Sequence, residues 1–80
     1  MQATETHSQQ IEHCIGHIDI PRRGDRPITT GVYVDQWEFS GRTLYTPRCT
    51  AGLGGRDFAT MRGAVAYAQR ALPAMVLEAA

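Results

Sequence analysis

Residues 28–39, ITTGVYVDQWEF, are the stretch that decides the fold. β-branched and aromatic side chains dominate this stretch, and such side chains pack well on a pleated surface that is covered on one side. Side chains alternate between the two faces of a strand, so the two valines are predicted to share one face. The opposite face is then predicted to carry the aromatic residues Tyr33, Trp37 and Phe39. The pattern predicts a β-strand.

A second strand is predicted over residues 42–49, RTLYTPRC, which follow directly after Ser40-Gly41. A two-residue connection of this kind is typical of a β-hairpin. Pro47 has no N–H to donate to a neighbouring strand, so the second strand is expected at the edge of the sheet, or to end near this residue. The sequence therefore predicts an antiparallel hairpin.

Residues 11–20, IEHCIGHIDI, fit both a helix and a strand. The spacing i, i+3, i+4 and i+7 that marks one face of a helix is present at Ile11, Cys14, Ile15 and Ile18. In the second half of the segment, however, isoleucines alternate with polar residues as in a strand, and a glycine weakens the helix. We predict a strand in that half. Residues 21–27, PRRGDRP, are predicted to be a turn because prolines, glycine and charges leave nothing to bury.

The helix is predicted over residues 58–72, FATMRGAVAYAQRAL, with Thr60 as its N-cap. One apolar stripe runs along it, formed by Met61, Ala64, Val65, Ala68, Ala71 and Leu72. Pro73 is expected to end this helix, or to begin a short second helix over residues 74–77.

These elements predict one small α+β domain over residues 11–80. It consists of an antiparallel sheet of two or three strands with one amphipathic helix packed on one face. Residues 1–10, MQATETHSQQ, lack apolar periodicity and are predicted to be a flexible N-terminal tail. A chain of 80 residues buries only a small core, so a second copy would be one route to stability.

Composition and the N-terminal residues restrict the class of protein. Eight basic residues, all of them Arg, balance eight acidic residues. This neutral total argues against a dedicated electrostatic nucleic-acid binder. Residues 1–10 lack the features of a secretory signal, and no apolar stretch reaches the ~20 residues that span a bilayer. We therefore expect a cytoplasmic protein with free thiols at Cys14 and Cys49 and no membrane partner.

The residue types that support catalysis or metal binding are present without a supporting pattern. His7, His13, His17 and Cys14 contain ligand types but lack the second separated pair of a structural zinc site, so surface histidines are expected. Pairing Cys49 with His13 or His17 gives the residue types of a Cys–His nucleophile without a supporting motif. We expect neither enzymatic activity nor a metal or cofactor.

The glycine-rich residues 52–55 precede the predicted helix, where backbone amides favour anions. They match neither of the glycine-rich phosphate-binding motifs, so they are interpreted as a connector.

A contact surface for a partner is the remaining prediction. One helix covers one side of a sheet, so the aromatic residues of the other side are either core or interface, and Tyr45 is counted with them. Aromatic and Arg side chains dominate the energetics of protein interfaces. The predicted contact residues are Arg22, Arg23, Arg26, Tyr33, Trp37, Arg42 and Tyr45.

A resemblance extends over residues 32–72, where a hairpin is followed by Phe58-Ala59-Thr60 and a helix with Ala64, Ala68 and Ala71. This arrangement resembles small accessory proteins of phages and mobile elements, among them anti-CRISPR proteins. The resemblance implies a non-enzymatic binding module that blocks a larger host protein or ribonucleoprotein complex in the cytoplasm of a bacterial host cell. It implies no site residue.

Two other functions are weighed against this one. Direct nucleic-acid binding by the sheet face is the alternative, because arginines beside aromatic residues bind single strands in this way. An enzyme or a small metal-binding protein is the third hypothesis. A homodimer is compatible with all three.

Overall fold

The computed structural model describes residues 10–78, which form one four-stranded antiparallel sheet and one helix. The strands lie in the order β3-β2-β1-β4. The elements are β1 (Ile11–Arg22), β2 (Asp25–Phe39), β3 (Arg42–Arg48), α1 (Met61–Ala71) and β4 (Val76–Leu77). The predicted α+β class and its helix are confirmed, and the sheet has one strand more than predicted. The predicted tail, apart from Gln10, lies outside the described residues.

The predicted hairpin of β2 and β3 is confirmed in its turn and its register. Phe39 pairs with Arg42, which leaves Ser40-Gly41 as the two-residue loop. Both loop residues have positive φ, 53° at Ser40 and 74° at Gly41. Such angles match the right-handed twist of the flanking strands, so the short loop joins them without splaying the pair.

Pro47 lies in an edge strand, as predicted, and the backbone around it shows why the edge tolerates proline. On the outer side of β3, Tyr45 and Phe58 exchange two backbone hydrogen bonds of 2.8 Å. Further along the same side, the Cys49 amide donates to the Leu53 carbonyl oxygen at 3.0 Å. Pro47 stands between these two bridges, where a missing N–H leaves no donor without a partner.

The whole of β1 is a strand, so the helical alternative for residues 11–20 is wrong. Cys14 pairs with Tyr33 and Gly16 pairs with Val32, which leaves Ile15 as the extra residue of a β-bulge. The bulge shifts the alternation of side chains by one position. Ile15 and Ile18 therefore both pack into the same core although they are three residues apart. The spacing that resembled a helix comes from a bulged strand.

The predicted turn at residues 21–27 is mostly strand. Arg22 pairs with Asp25, so only Arg23-Gly24 forms the loop, with Gly24 at a φ of 69°. Beyond the core residue Ile18, the two strands continue as a projecting ribbon, residues 19–29, which we call the arm. All arm residues are exposed except the half-buried Ile20.

The helix begins and ends where its capping residues predict. The Thr60 side-chain oxygen accepts a hydrogen bond from the Gly63 amide at 3.0 Å. The helix ends at Ala71, and the amide of Leu72 donates to Ala68 at 2.8 Å. Phe58 lies outside the helix, in the bridge to Tyr45. In the predicted apolar stripe, Ala64 and Ala68 are fully buried, whereas Ala71 is exposed.

The helix packs on one face of the sheet, which we call the helix-covered face. Val32 and Val34 of this face are fully buried. The central cluster is small and consists of Ile18, Val32, Cys49, Leu53 and Ala68. Alanines on the helix allow a close approach to the sheet. Leu53 belongs to the glycine-rich connector, so that segment is anchored in the core. No helix among residues 10–78 is long and apolar enough to cross a membrane.

The fourth strand follows Pro73, where the sequence predicted either the end of the helix or a short second helix; α1 does end before Pro73, and residues 76 and 77 form a strand. Met75 packs against the core, and Val76 and Leu77 pair with β1 at His17 and Gly16. The Glu78 amide adds a hydrogen bond of 2.9 Å to the Ile15 carbonyl oxygen. Gly16 permits this approach, because a Cβ there would overlap the Val76 carbonyl oxygen and lie 3.2 Å from Met75 Cγ.

Gly16→Ala is expected to detach β4 and to lower the free energy of unfolding by about 1–3 kcal/mol through steric overlap. Urea denaturation measures the stability, and hydrogen exchange at the Glu78 amide reports the detachment. A chain truncated after Met75 lacks the Val76 carbonyl, so there the substitution should cost much less. An equal cost in both backgrounds would show that the overlap is not the cause.

Candidate interaction surface

The sheet face opposite the helix, which we call the helix-free face, carries alternate residues of β2 and their partners on β3. Tyr33, Asp35, Trp37 and Phe39 lie on this face of β2. Their cross-strand partners are, in the same order, Arg48, Thr46, Leu44 and Arg42. The alternation of residues along β2 predicts that its aromatic side chains share one face, and the register confirms this prediction.

Trp37 is held in one orientation by hydrogen bonds and an aromatic contact. Its indole Nε1–H donates to Thr46 Oγ1 at 2.9 Å, and the Thr46 hydroxyl donates to Asp57 Oδ1 at 2.7 Å. The Phe39 ring lies 6.1 Å from the Trp37 ring, tilted by 59°. Phe39 itself is 62% exposed. An aromatic pair on a sheet face is thus oriented before any partner arrives.

An ion-pair cluster lies beside the aromatic pair and is centred on Arg48. Its guanidinium donates to both carboxylate oxygens of Asp35, at 2.8 and 3.1 Å, and also to Glu12. Asp35 is buried, with 8% of its surface exposed. The hydrogen bonds to Asp35 raise the pKa of Arg48 above its ordinary value. Arg48 therefore serves to neutralise a buried carboxylate across the strand pair.

Tyr33 is the third feature of the helix-free face. Its ring lies against Gly31, where a Cβ would come within 2.7–2.8 Å of the Tyr33 ring and hydroxyl atoms. The Arg48 guanidinium lies 4.9 Å from the centroid of the same ring. One side of Tyr33 is thus covered by backbone, and its ring contacts the cation that also binds Asp35.

Tyr45 lies on the face opposite to the one predicted. It pairs with Gln36, so it shares the helix-covered face, and the expectation that it joins the other aromatic residues is wrong. Its neighbour Phe58 packs 5.2 Å from Tyr67 of the helix, and Arg56 lies over both rings. The sequence of β3 alone could not reveal this, because the register of β3 with β2 decides on which face of the sheet each of its side chains lies.

The predicted arginines are divided between two parts of the molecule. Arg42 lies on the helix-free face, whereas Arg22, Arg23 and Arg26 lie at the tip of the arm. Arg26 and Trp37 belong to the same extended strand. At a rise of about 3.3 Å per residue, they are roughly 36 Å apart. The arm tip and the aromatic pair are therefore separate contact regions.

The register of β1 with β2 decides where His13 and His17 lie. His13 pairs with Val34 and His17 with Gly31, so the bulge puts the two histidines on opposite faces of the sheet. His7 lies outside the described residues. Among residues 10–78, no group of three or more His, Cys, Asp or Glu side chains could hold a metal ion.

The glycine-rich connector, residues 52–55, does not lead directly into the helix, because the bridge at Phe58 lies between them.

Comparisons with protein-family models, curated proteins and solved structures gave no match to this chain.

Thr46→Val is expected to free the Trp37 indole, because a valine keeps the shape of threonine but cannot accept the indole hydrogen bond. The free energy of unfolding should fall by about 0.5–1.5 kcal/mol. The Nε1–H proton should exchange faster with solvent in NMR spectra. Thr43→Val is the matched control, since the Thr43 hydroxyl makes no hydrogen bond with the described residues. Similar indole exchange in wild type and Thr46→Val would contradict the assigned hydrogen bond.

Arg48→Met is expected to lower the free energy of unfolding by about 1–3 kcal/mol, because buried Asp35 would lose its charged partner. Glu12→Gln should cost less than about 0.5 kcal/mol, since the Glu12 side chain is 54% exposed. Urea denaturation of both variants measures the two effects. Equal effects would show that burial of Asp35 does not govern the cluster.

Proposed function

We propose that this chain is a non-enzymatic protein-binding module whose contact surface is the helix-free face. The observation that carries the proposal is the oriented aromatic pair, with Trp37 held by Thr46 and Phe39 62% exposed. Tryptophan is among the residues that contribute most to binding energy at interfaces. A side chain that is already oriented loses less conformational entropy when the partner binds.

The surroundings of the aromatic pair have the mixed character of a protein interface. Leu44 pairs with Trp37 and Arg42 pairs with Phe39, so an aliphatic and a cationic side chain flank the rings. Apolar anchors surrounded by polar and charged groups are typical of such interfaces. Leu77 and Val76 are also exposed apolar residues, but they belong to the short β4 and lack a comparable cluster.

The charges of the helix-free face favour a protein over a nucleic acid. Glu12 and Asp35 balance Arg48 and Arg42, so the face carries no excess of positive charge. Arg48 is bonded to both carboxylates. Nucleic-acid binding by a sheet face combines stacked aromatic residues with free cations along the phosphate backbone. The three arginines at the tip of the arm are remote from the aromatic pair, which leaves Arg42 as the cation beside it.

The partner in this proposal is a larger host protein or ribonucleoprotein complex, which the chain inhibits by covering part of its surface. The resemblance to small phage and mobile-element proteins supports this part of the proposal. The size of the chain is compatible with it, since a chain of 80 residues offers a few exposed side chains on a rigid sheet. In this mechanism the chain excludes the natural ligand of its partner by steric overlap.

Affinity capture from nuclease-treated bacterial lysate, followed by mass spectrometry and titration with the purified partner, tests the proposal. Trp37→Ala should weaken binding about 30-fold or more, and Phe39→Ala about fivefold. Circular dichroism must show that each variant stays folded. Phe39→Ala keeps the test decisive if Trp37→Ala unfolds, because Phe39 is mostly exposed.

Leu77→Ala is the control, since it removes an apolar side chain that is 46% exposed and outside the helix-free face. Unchanged affinity in Phe39→Ala together with Trp37→Ala would overturn the proposed surface. Loss of every partner after nuclease treatment would instead indicate direct nucleic-acid binding. Addition of the purified chain should lower the activity of the captured partner. If the partner keeps its full activity while the chain is bound to it, inhibition is refuted.

A further inference from the structure

The arm, residues 19–29, extends beyond the body of the domain and has no role in the core. Ile18, which precedes it, is the last core residue of β1, and Ile28 on the opposite strand is 46% exposed. Neither β3 nor β4 pairs with any arm residue. An isolated two-stranded ribbon contributes little stability in water. Contact with a partner therefore explains the projecting arm better than a contribution to the stability of the fold does.

The tip of the arm is built into one conformation by polar contacts. Arg22 forms a salt bridge of 3.2 Å with Asp25, and its Nε donates to the Arg26 carbonyl oxygen at 2.9 Å. The Asp25 carboxylate accepts a hydrogen bond of 2.7 Å from the Arg26 amide. Gly24 supplies the positive φ of the loop. The guanidinium groups of Arg23 and Arg26 have no partner among the described residues.

Strand addition is an unsuitable binding mode for the arm. Pro21 lies on β1 and Pro27 on β2, so each strand of the arm lacks one backbone donor. Prolines and charged side chains on exposed strands prevent pairing with another strand. The arm is therefore suited to contacts by its side chains and not by its backbone.

The arm combines these cations with an apolar pair on one side. Ile20 and Ile28 are cross-strand partners and continue the helix-covered face beyond the helix. Arg26 lies two positions before Ile28 on β2, at the second register shift of the strand pair, which falls between Ile20 and Arg22. The arm thus carries an isoleucine pair and, two residues further along β2, an arginine at its tip.

The charge of the arm favours discrete carboxylates over a polyanion. Its three arginines are accompanied by Asp19 and Asp25, so the arm carries a formal charge of only +1 (three minus two). A nucleic-acid backbone would be repelled by both aspartates. The carboxylates of an acidic protein segment would form bidentate hydrogen bonds with Arg23 and Arg26, and its apolar side chains would pack on the isoleucines.

We infer that the arm is a second contact element, which binds an acidic, apolar segment of a partner protein through Arg23, Arg26 and the Ile20–Ile28 pair. The inference rests on the proposed protein-binding function. It adds a partner chemistry, carboxylates next to aliphatic side chains, that the aromatic pair does not specify. The isoleucine pair continues the helix-covered face, whereas the aromatic pair lies on the helix-free face, so the two elements are separate contacts.

NMR titration of the full chain with a twelve-residue peptide of repeated Glu-Glu-Leu tests the inference directly. The peptide should shift the amide signals at the arm tip and of Ile28, and the Nε–H signals of Arg23 and Arg26. Replacement of both arginines, by Arg23→Gln with Arg26→Gln, should weaken binding about three- to tenfold. The helix variant Arg62→Gln with Arg70→Gln is the control, because it removes the same charge from exposed positions.

Three further measurements decide the outcome. A Gln-Gln-Leu peptide should bind more weakly than the acidic one, and equal binding would overturn the role of the carboxylates. Tighter binding of a 20-base-pair DNA duplex through the same arm signals would overturn the protein partner. Trp37→Ala should leave peptide binding unchanged, so failure of the arm is distinguishable from failure of the helix-free face. Equal weakening by the control variant would show only nonspecific charge attraction.

Discussion

The pairing of β1 with β2 is the constraint on which the rest of the structure depends. Through it, the bulge at Ile15 brings two isoleucines of β1 into one core, and it sets the register that separates the two faces of the sheet. The helix then covers one face, where Val32 leaves no exposed surface. Because a shift of one residue exchanges the faces of a strand, a different register would bury Tyr33 and Trp37 and expose the valines. Core and contact surface are therefore determined together.

The small core explains why polar contacts are so prominent outside it. Alanines and valines bury little area, so the sheet also relies on cross-strand interactions such as the bidentate pair of Arg48 with Asp35. The connector between β3 and α1 contributes both to the core and to the helix-free face. Leu53 enters the core, while Asp57 reaches the Thr46 hydroxyl that orients Trp37. The same segment stabilises the fold and positions the proposed binding anchor.

Parts of the fold and of the surface were predictable because they depend on local chemistry. Three features follow from the backbone angles or hydrogen bonds of a single residue or dipeptide: the Ser40-Gly41 turn, the Thr60 cap and the edge position of Pro47. The face shared by Tyr33 and Trp37 follows from alternation within one strand. By contrast, β4 has only two paired residues, and its formation depends on space that Gly16 leaves on a distant strand. No local signal marks such a strand, so the sequence predicted only the end of α1 or a short second helix there.

The sequence by itself determined the α+β class, the β2–β3 hairpin and the capped helix, since short-range sterics and hydrogen bonding decide these features. It also determined which aromatic residues of β2 share a face. Only the tertiary structure decided the extent of β1, the face of Tyr45 and the separation of the arm tip from the aromatic pair. These depend on register and on the bulge at Ile15, which arise from contacts between residues far apart in the chain. The physical reason is that alternation defines two faces for each strand, but only pairing decides which face meets the core.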